Sequence, residues 1–260
     1  MKIAIITFSP QGAVLAHRLQ ALLPDGRLFF HASLPKAPGV VRFERVAVLT
    51  RRIFGKMDGI IYIGPSGVAV RAIAGCLRHK LSDPAVVVVD AGGRFAVSLL
   101  SGHEGGANQL ALDVANALGA EPVISTTTEA VKTVTVGVGC RRGTSAARIV
   151  DAVRTGLARA GVALGDVRWL ATAEIKRDEP GLLEAARLLG LPLRIMPDWF
   201  MRRAGAEVTP SDFVKSKTNL PAVAEPAALT SGRNTQLILK RQIINGVTIA
   251  VAGESCLWSA

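Results

Sequence analysis

The sequence is short of the residues that several functional classes require. Aromatic side chains are only 5% of its 260 residues, so no row of rings is available for single-stranded nucleic acid to stack on. Cysteines number three, Cys76, Cys140 and Cys256, far apart and without CxxC spacing. This argues against a disulfide framework or a structural zinc site and fits a reducing cytosol, so a cytoplasmic location is expected. The four histidines, His17, His31, His79 and His103, stand isolated, with no HExxH and no paired ligand spacing. No metal site built by the protein is therefore expected. Long apolar runs are also missing. The longest apolar region, PAVVVVDAGGRFAVSLL, is broken by Asp90, two glycines and Arg94, which is too interrupted to span a membrane. The opening MKIAIITFSP has too short an apolar run for a signal peptide and reads as a first strand.

Acidic residues are outnumbered, 20 against 31 Lys and Arg, giving a net charge of +11 spread over both halves. Such a balance favours a polyanionic partner: nucleic acid, an anionic membrane surface, or a small molecule with several carboxylates or phosphates. No helix-turn-helix, aromatic platform or zinc finger supports the first. Hydrophobic content of 49% with 20% charged residues indicates a folded globular chain. The length suits one large or two modest domains.

Strand and helix patterns alternate along the chain. KIAIITF, RLFFH, DGIIYIGP, PAVVVVDA, RFAVSLLS and EPVIST read as strands. QGAVLAHRLQALL, ERVAVLTRRIFGKM, SGVAVRAIAGCL and GANQLALDVANALG read as helices, the third with Ser66 as a serine cap and the last stopped by Gly119. Gly92-Gly93 is a hairpin signal. The pattern breaks at TTTEAVK and restarts with TVTVGVGC, VRWLATAE and PLRIM as strands and GTSAARIVDAVRTGLARAG and EPGLLEAARLLG as helices. SDFVKS and AVAEPAALTSG are further helix candidates, and LILK with GVTIAVA forms a closing β pair. The expected fold class is α/β: two α/β domains, residues 1–130 and 131–260, with mostly parallel sheets flanked by helices.

Four stretches carry chemistry. VSLLSGHEGGAN passes from a strand through Ser101, Gly102, His103, Glu104, Gly105 and Gly106 to Asn108 at a helix start. Ligands of open α/β sheets gather at the carboxyl ends of strands. The glycines let backbone N–H groups approach an anion at a helix N-terminus, and His103 offers an imidazole as proton acceptor, with Glu104 to orient it or to serve as an acid. The bland alternative is a glycine turn with an exposed histidine and a capping acid. GPSGVAVRAIAG is a second strand-to-helix turn, where Ser66 and Gly67 offer N–H donors and Arg71 can hold a carboxylate; an ordinary capped helix explains it equally well. GVGCRRGTS has glycines at 137, 139 and 143, a GxGxxxG spacing without the acid twenty residues on. It is not a dinucleotide fingerprint, nor does it hold the GK[ST] of a P-loop. What remains is Gly139, Arg141, Arg142 and Thr144 at a helix start, suited to anionic groups, beside an inert Cys140. EIKRDEPG places Asp178 and Glu179 as helix-start acids and Lys176 as a carboxylate binder. Glu225 reads as another helix-start acid.

Together these stretches resemble the CbiG family. GPSGVAVRAIA, KLSDPAVVVVDAGGRFAVSLLSGHEGGAN and EPVISTTTEA are similar to its N-terminal domain, and SGHxGGAN is the most specific block. GVGCRRGTS, ATAEIKRDEPGLLEAA, TPSDFVKSKTNLPAVAEPAAL and LILKRQIINGVTIAVA are similar to its C-terminal domain, which also occurs alone as CobE. The resemblance runs from about residue 45 onward, in a compact form without the family's middle segment. It implies hydrolysis of cobalt-precorrin-5A in anaerobic cobalamin synthesis, opening a δ-lactone and releasing acetaldehyde. The alternative is a non-catalytic tetrapyrrole carrier or chaperone of the same pathway. The implied substrate is an anionic cobalt tetrapyrrole lying in a cleft between domains; its cobalt arrives with it, and no cofactor is expected. His103 would act as general base or as axial cobalt ligand, with Glu104 assisting. The glycine N–H groups would stabilise the lactone oxyanion, and Arg71, Arg141 and Arg142 would anchor carboxylates. A homodimer and transient contacts with neighbouring pathway enzymes are further expectations, with neither nucleic acid nor membrane as partner.

Overall fold

The computed structural model describes residues 1–207 and 222–255, with the side chains of 205–207 excepted. The helix candidate SDFVKS and Cys256 lie outside the described residues. The chain divides into two units, Met1–Thr126 and Thr127–Ala260.

The first unit contains β1 (Ile3–Thr7), α1 (Pro10–Leu22), β2 (Gly26–His31), β3 (Val41–Phe43), α2 (Val46–Ile53), β4 (Gly59–Ile63), α3 (Ser66–Ile73), β5 (Ala85–Val89), β6 (Phe95–Leu100), α4 (Ala107–Leu118) and β7 (Glu121–Val123). Its sheet runs β3-β2-β1-β4-β5-β6-β7. Every neighbouring pair is parallel except β5 and β6. The strands are apolar throughout because both faces are covered. Ile3, Ile5, Leu28, Ile61 and Val87 pack under Ala16 and Leu19 of α1 and Leu110 and Val114 of α4. The alternate residues Ala4, Ile6, Ile60, Tyr62 and Val86 pack under Leu49 and Ile53 of α2 and Ala69 and Ile73 of α3. Each fully buried Ile or Leu contributes roughly 1.5–3 kcal/mol.

The reversal between β5 and β6 is fixed by Asp90. Its carboxylate accepts the N–H groups of Gly92 (3.1 Å), Arg94 (2.7 Å) and Phe95 (2.9 Å). The register then sets Val89 opposite Ala96 and Val86 opposite Leu100. The carboxyl ends of β1, β4 and β5 therefore lie on one rim of the sheet, and those of β6 and β7 lie on the other.

The second unit contains α5 (Thr127–Ala130), β8 (Val134–Gly139), α6 (Ala146–Ala160), β9 (Val167–Ala173), α7 (Pro180–Leu189), β10 (Leu193–Met196), α8 (Asp198–Met201), α9 (Ala224–Ser231), β11 (Thr235–Ile244) and β12 (Val247–Glu254). The order is β10-β9-β8-β12-β11. β8, β9 and β10 run parallel, while β12 is antiparallel to both β8 and β11. Ile149 and Val153 of α6 and Leu182 and Ala185 of α7 cover one face. On the other face α9 presses its backbone onto β8, so that a Cβ at Gly137 would stand 1.8 Å from the Ala224 carbonyl oxygen.

Several local expectations change. Ser66 is the first residue of α3 rather than its cap; Pro65 holds that position and no side chain caps the helix. The helix expected over ERVAVLTRRIFGKM ends at Ile53, and Phe54–Lys56 continues as a 3-10 turn. The break at TTTEAVK contains the short α5, and β3 follows the Pro/Gly stretch unannounced. Glu225 is fully buried and accepts the Arg241 N–H at 2.9 Å. That N–H lies where β11 shifts register against β12, so the buried carboxylate takes up a donor freed by the irregularity.

Candidate functional site

The stretch Ser101–Asn108 connects β6 to α4 as a self-fastened loop. Ala107 N–H donates to the Ser101 carbonyl (3.1 Å) and Asn108 N–H to that of Gly102 (2.9 Å). The Asn108 side chain is held on both sides: its Oδ1 accepts from Ser98 Oγ at 2.8 Å, and its Nδ2 donates to Thr126 Oγ1 at 2.9 Å. Asn108 thus fixes the loop instead of reaching outward. Gly105 is packed against Ser101; a Cβ there would meet the Ser101 Cβ at 2.3 Å. Gly106 caps α4 with φ of 82°, a conformation glycine adopts freely. The N–H groups of Gly105 and Gly106 have no acceptor among the described residues.

His103 stands exposed in this loop and makes no hydrogen bond among the described residues. Glu104 does not turn toward it. Its Oε1 accepts instead from Lys80 Nζ at 2.9 Å, and both side chains are solvent-facing. That hydrogen bond holds the Glu104 carboxyl below its ordinary range and raises the Lys80 ammonium. The pairing of His103 with Glu104 expected from their adjacency is therefore replaced by a Lys80–Glu104 pair. Asp83, buried at 8% exposure, braces the neighbouring segment by accepting the Arg78 N–H at 3.0 Å.

Ser66, Gly67 and Arg71 lie on the opposite rim of the same sheet. Here β1 leads to β2 on one side and β4 to β5 on the other, with α1 and α3 on opposite faces. This is a topological switch point, the place where open α/β sheets form ligand crevices. Arg71 curls back over the start of α3, its Nη1 donating to the Gly67 carbonyl at 3.1 Å. In the first unit, then, the sequence-predicted residues form two groups, with Arg71 far from His103.

In the second unit the carboxyl rim of β8 and β9 gathers Gly139, Cys140, Arg141, Arg142, Thr144 and Lys176. The turn is closed by the Thr144 hydroxyl, which donates to the Arg141 carbonyl at 2.7 Å. Arg141 is exposed and makes no ion pair among the described residues; Arg142 lies 3.5 Å from Asp178 in an open pair. Lys176 is not free for a ligand: its Nζ sits 3.7 Å from Glu179, whose side chain is 1% exposed. Glu179 also accepts the Gly143 N–H at 2.8 Å, so it ties the β9–α7 turn to the arginine turn. Burial pushes the Cys140 thiol up, with Lys176 opposing, so the cysteine stays a neutral thiol at pH 7.

Lys80, Asp83, Ser98, Thr126 and Glu179 escaped the sequence reading of sites. KLSDP and EPVISTTTEA drew notice as blocks, but nothing local marks Lys80 or Thr126 as neighbours of the SGHEGGAN loop. Among the described residues no group of three or more His, Cys, Asp or Glu could hold a metal ion, and no helix is long and apolar enough to cross a membrane.

Glycine turns and basic side chains at the rims of two helix-flanked sheets define a two-unit α/β protein. Comparison with known proteins makes this particular. Residues 48–129 match the family described as cobalamin synthesis G N-terminal, and residues 134–252 match cobalamin synthesis G C-terminus. The chain belongs to this CbiG family. It is 27% identical over 353 aligned positions to a protein of Priestia megaterium named cobalt-precorrin-5A hydrolase, covering 96% of this chain and 94% of that one. The alignment is longer than this chain, so the Priestia protein carries residues without a counterpart here. A Salmonella typhimurium protein of the same name is 43% identical over 128 residues, which span 49% of this chain but only 36% of that protein. Protein CobE of Sinorhizobium sp is 33% identical over 133 residues, covering 50% of this chain and 86% of CobE.

Proposed function

We propose that the chain is a cobalt-precorrin-5A hydrolase, opening the δ-lactone of an anionic cobalt tetrapyrrole and releasing acetaldehyde. The observation that carries the reading is a rim in a CbiG-family chain where an exposed imidazole stands beside two glycine N–H groups without acceptors. In this reading His103 takes a proton from the attacking water, and the N–H groups of Gly105 and Gly106 receive the charge that develops on the lactone carbonyl oxygen. Removing one such donor costs roughly 10²–10³ in rate. Lys80 is the basic side chain held at this loop, Arg71 offers a cation on the other rim of the sheet, and Arg141 and Arg142 offer theirs at the rim of the second unit; the cobalt enters with the substrate, not with the protein. The setting is the cytoplasm, with no nucleic acid or membrane as partner.

One observation favours a second reading, a tetrapyrrole carrier. Glu104 is engaged by Lys80, which leaves His103 without an orienting carboxylate. The deciding experiment is anaerobic incubation with cobalt-precorrin-5A, with acetaldehyde trapped and quantified. Stoichiometric acetaldehyde supports the hydrolase. Tight binding without acetaldehyde supports the carrier. His103→Ala is expected to abolish acetaldehyde release with no change in Tm, since the side chain is exposed; near-parental turnover in that variant removes His103 from the mechanism.

A further inference from the structure

A tryptophan seldom stands in water, because its indole carries a large apolar area. Trp199 is 55% exposed. Its orientation follows from the short α8 that begins where β10 ends. Met201 is fully buried with Trp169, Ala173 and Met196, and so pins α8 to the second sheet. Trp199 lies two residues back, just over half a turn round the helix, and is turned away from that core. Phe200 stands nearly perpendicular to it, with ring centroids 5.2 Å apart. The Arg203 guanidinium lies 5.3 Å from the Trp199 ring centroid and 5.4 Å from that of Phe200. More than half of Trp199 stays open with both neighbours in place.

The surroundings are basic. β8, β9 and β10 are parallel, with Gly137 opposite Ala171 and Ala173 opposite Met196, so the chain leaves all three toward one rim. Adjacent strands lie about 4.8 Å apart, which starts the three turns within about 10 Å of one another. The Gly143–Glu179 bond ties the first turn to the second, and the charge of Glu174 on the second acts on Asp198 at the start of α8. The acids of this rim are engaged: Glu174 by Arg177 at 3.1 Å, Asp178 by Arg142 at 3.5 Å and Glu179 by Lys176 at 3.7 Å. Burial and Glu174 push the Asp198 carboxyl up, with Arg202 opposing. Arg141 and Arg203 make no ion pair among the described residues and are exposed. Ile175, 45% exposed on the second turn, adds an open apolar side chain to the same rim. An open aromatic ring among uncompensated guanidinium groups matches a flat ring system edged with carboxylates. The ring stacks, and carboxylates at its edge take paired hydrogen bonds from arginine. A second copy of this chain would cover the indole but leave the two cations unanswered.

We infer that Trp199 is a stacking platform for the tetrapyrrole ring on the carboxyl rim of the second unit, with Arg203 and Arg141 receiving carboxylates at the edge of the ring. The inference rests on the reading of the ligand as an anionic tetrapyrrole and adds the surface of the second unit that holds it.

The probe is uroporphyrin, a stable tetrapyrrole with an acetate and a propionate on every pyrrole ring, titrated with the full chain and followed by its own fluorescence. The parent is expected to bind it saturably. Trp199→Ala should bind about tenfold more weakly, and Trp199→Phe, which keeps a ring, should lose only about two- to threefold. Arg203→Ala should weaken binding and make it less sensitive to salt. Leu188→Ala removes a similarly exposed apolar side chain from the far end of α7 and should leave the Kd in place. None of these variants should shift Tm, because each side chain is exposed. An absence of saturable binding, a Trp199→Ala Kd within about twofold of the parent, or an equal loss in Leu188→Ala overturns the inference. So does a parent chain that self-associates in sedimentation without the probe and becomes monomeric on Trp199→Ala, since the surface is then a contact between copies. The two readings fail separately. Acetaldehyde release by the parent, with uroporphyrin binding indifferent to Trp199, removes only the platform; Trp199-dependent binding without acetaldehyde removes only the hydrolase.

Discussion

Replacing Glu179 by alanine probes what holds the arginine turn of the second unit. The Glu179 side chain is 1% exposed, and Lys176, 3.7 Å away, is 16% exposed. The same carboxylate accepts the Gly143 N–H at 2.8 Å. Truncation leaves that N–H without its acceptor, which costs about 1–3 kcal/mol. It also leaves a largely buried ammonium without its counter-charge, and breaking a buried pair from one side costs about 3–5 kcal/mol. Both losses arise from one side chain and do not sum, so the expected destabilisation is about 3–5 kcal/mol. Glu179→Gln keeps an acceptor for Gly143 but still removes the counter-charge of Lys176, so its loss should be smaller than that of the alanine variant by about 1–3 kcal/mol. Adding Lys176→Met to the alanine variant removes the stranded ammonium and should recover part of the loss. Urea unfolding followed by tryptophan fluorescence reads this unit directly, because Trp169 is buried in its core. A Glu179→Ala variant within about 0.5 kcal/mol of the parent, the range of an ordinary surface substitution, would refute the argument.

Gly137→Ala should be more damaging than its size suggests. The new Cβ would stand 1.8 Å from the Ala224 carbonyl oxygen, and since that atom is backbone, α9 must move away from β8; the same urea assay should show a loss of about 3 kcal/mol or more. Asp113 on α4 has its carboxyl pushed up by burial, with the Gln109 hydrogen bond opposing in part. A carboxyl whose folded pKa is raised binds its proton more tightly when folded, so stability falls as the pH rises through that value. Asp113→Asn should therefore raise Tm at pH 7, and the gain should fade as the pH is lowered to 3.8, the carboxyl's ordinary value.

What could be read from the sequence was local. Apolar runs such as AVVVV and GIIYI announce strands buried on both faces, and Gly92-Gly93 announces a reversal. The glycines at 105 and 106 mark a close-packed loop before a helix because the whole constraint lies within eight residues. The reversal also carries a non-local result that the pattern does not display: β6 ends on the rim opposite to β4, which parts SGHEGGAN from GPSGVAVR. The partners of acidic side chains were hidden for the same reason. Glu179 and Glu225 have the spacing of helix-start acids, yet their partners, Gly143 and Arg241, are 36 and 16 residues away. Glu104 follows His103 directly but finds Lys80, 24 residues back. Sequence adjacency suggested a catalytic pair, whereas folding had brought a cation nearer.

The turn at Asp90 also makes the first unit electrically divided. Strands of five residues such as β4 separate the two rims by about 17 Å. That is about twice the distance over which physiological salt screens one exposed charge from another. A charge arriving beside Arg71 is therefore scarcely felt at His103, and the reverse holds too. The field at the SGHEGGAN loop is left to that loop's own residues and to whatever ligand it receives.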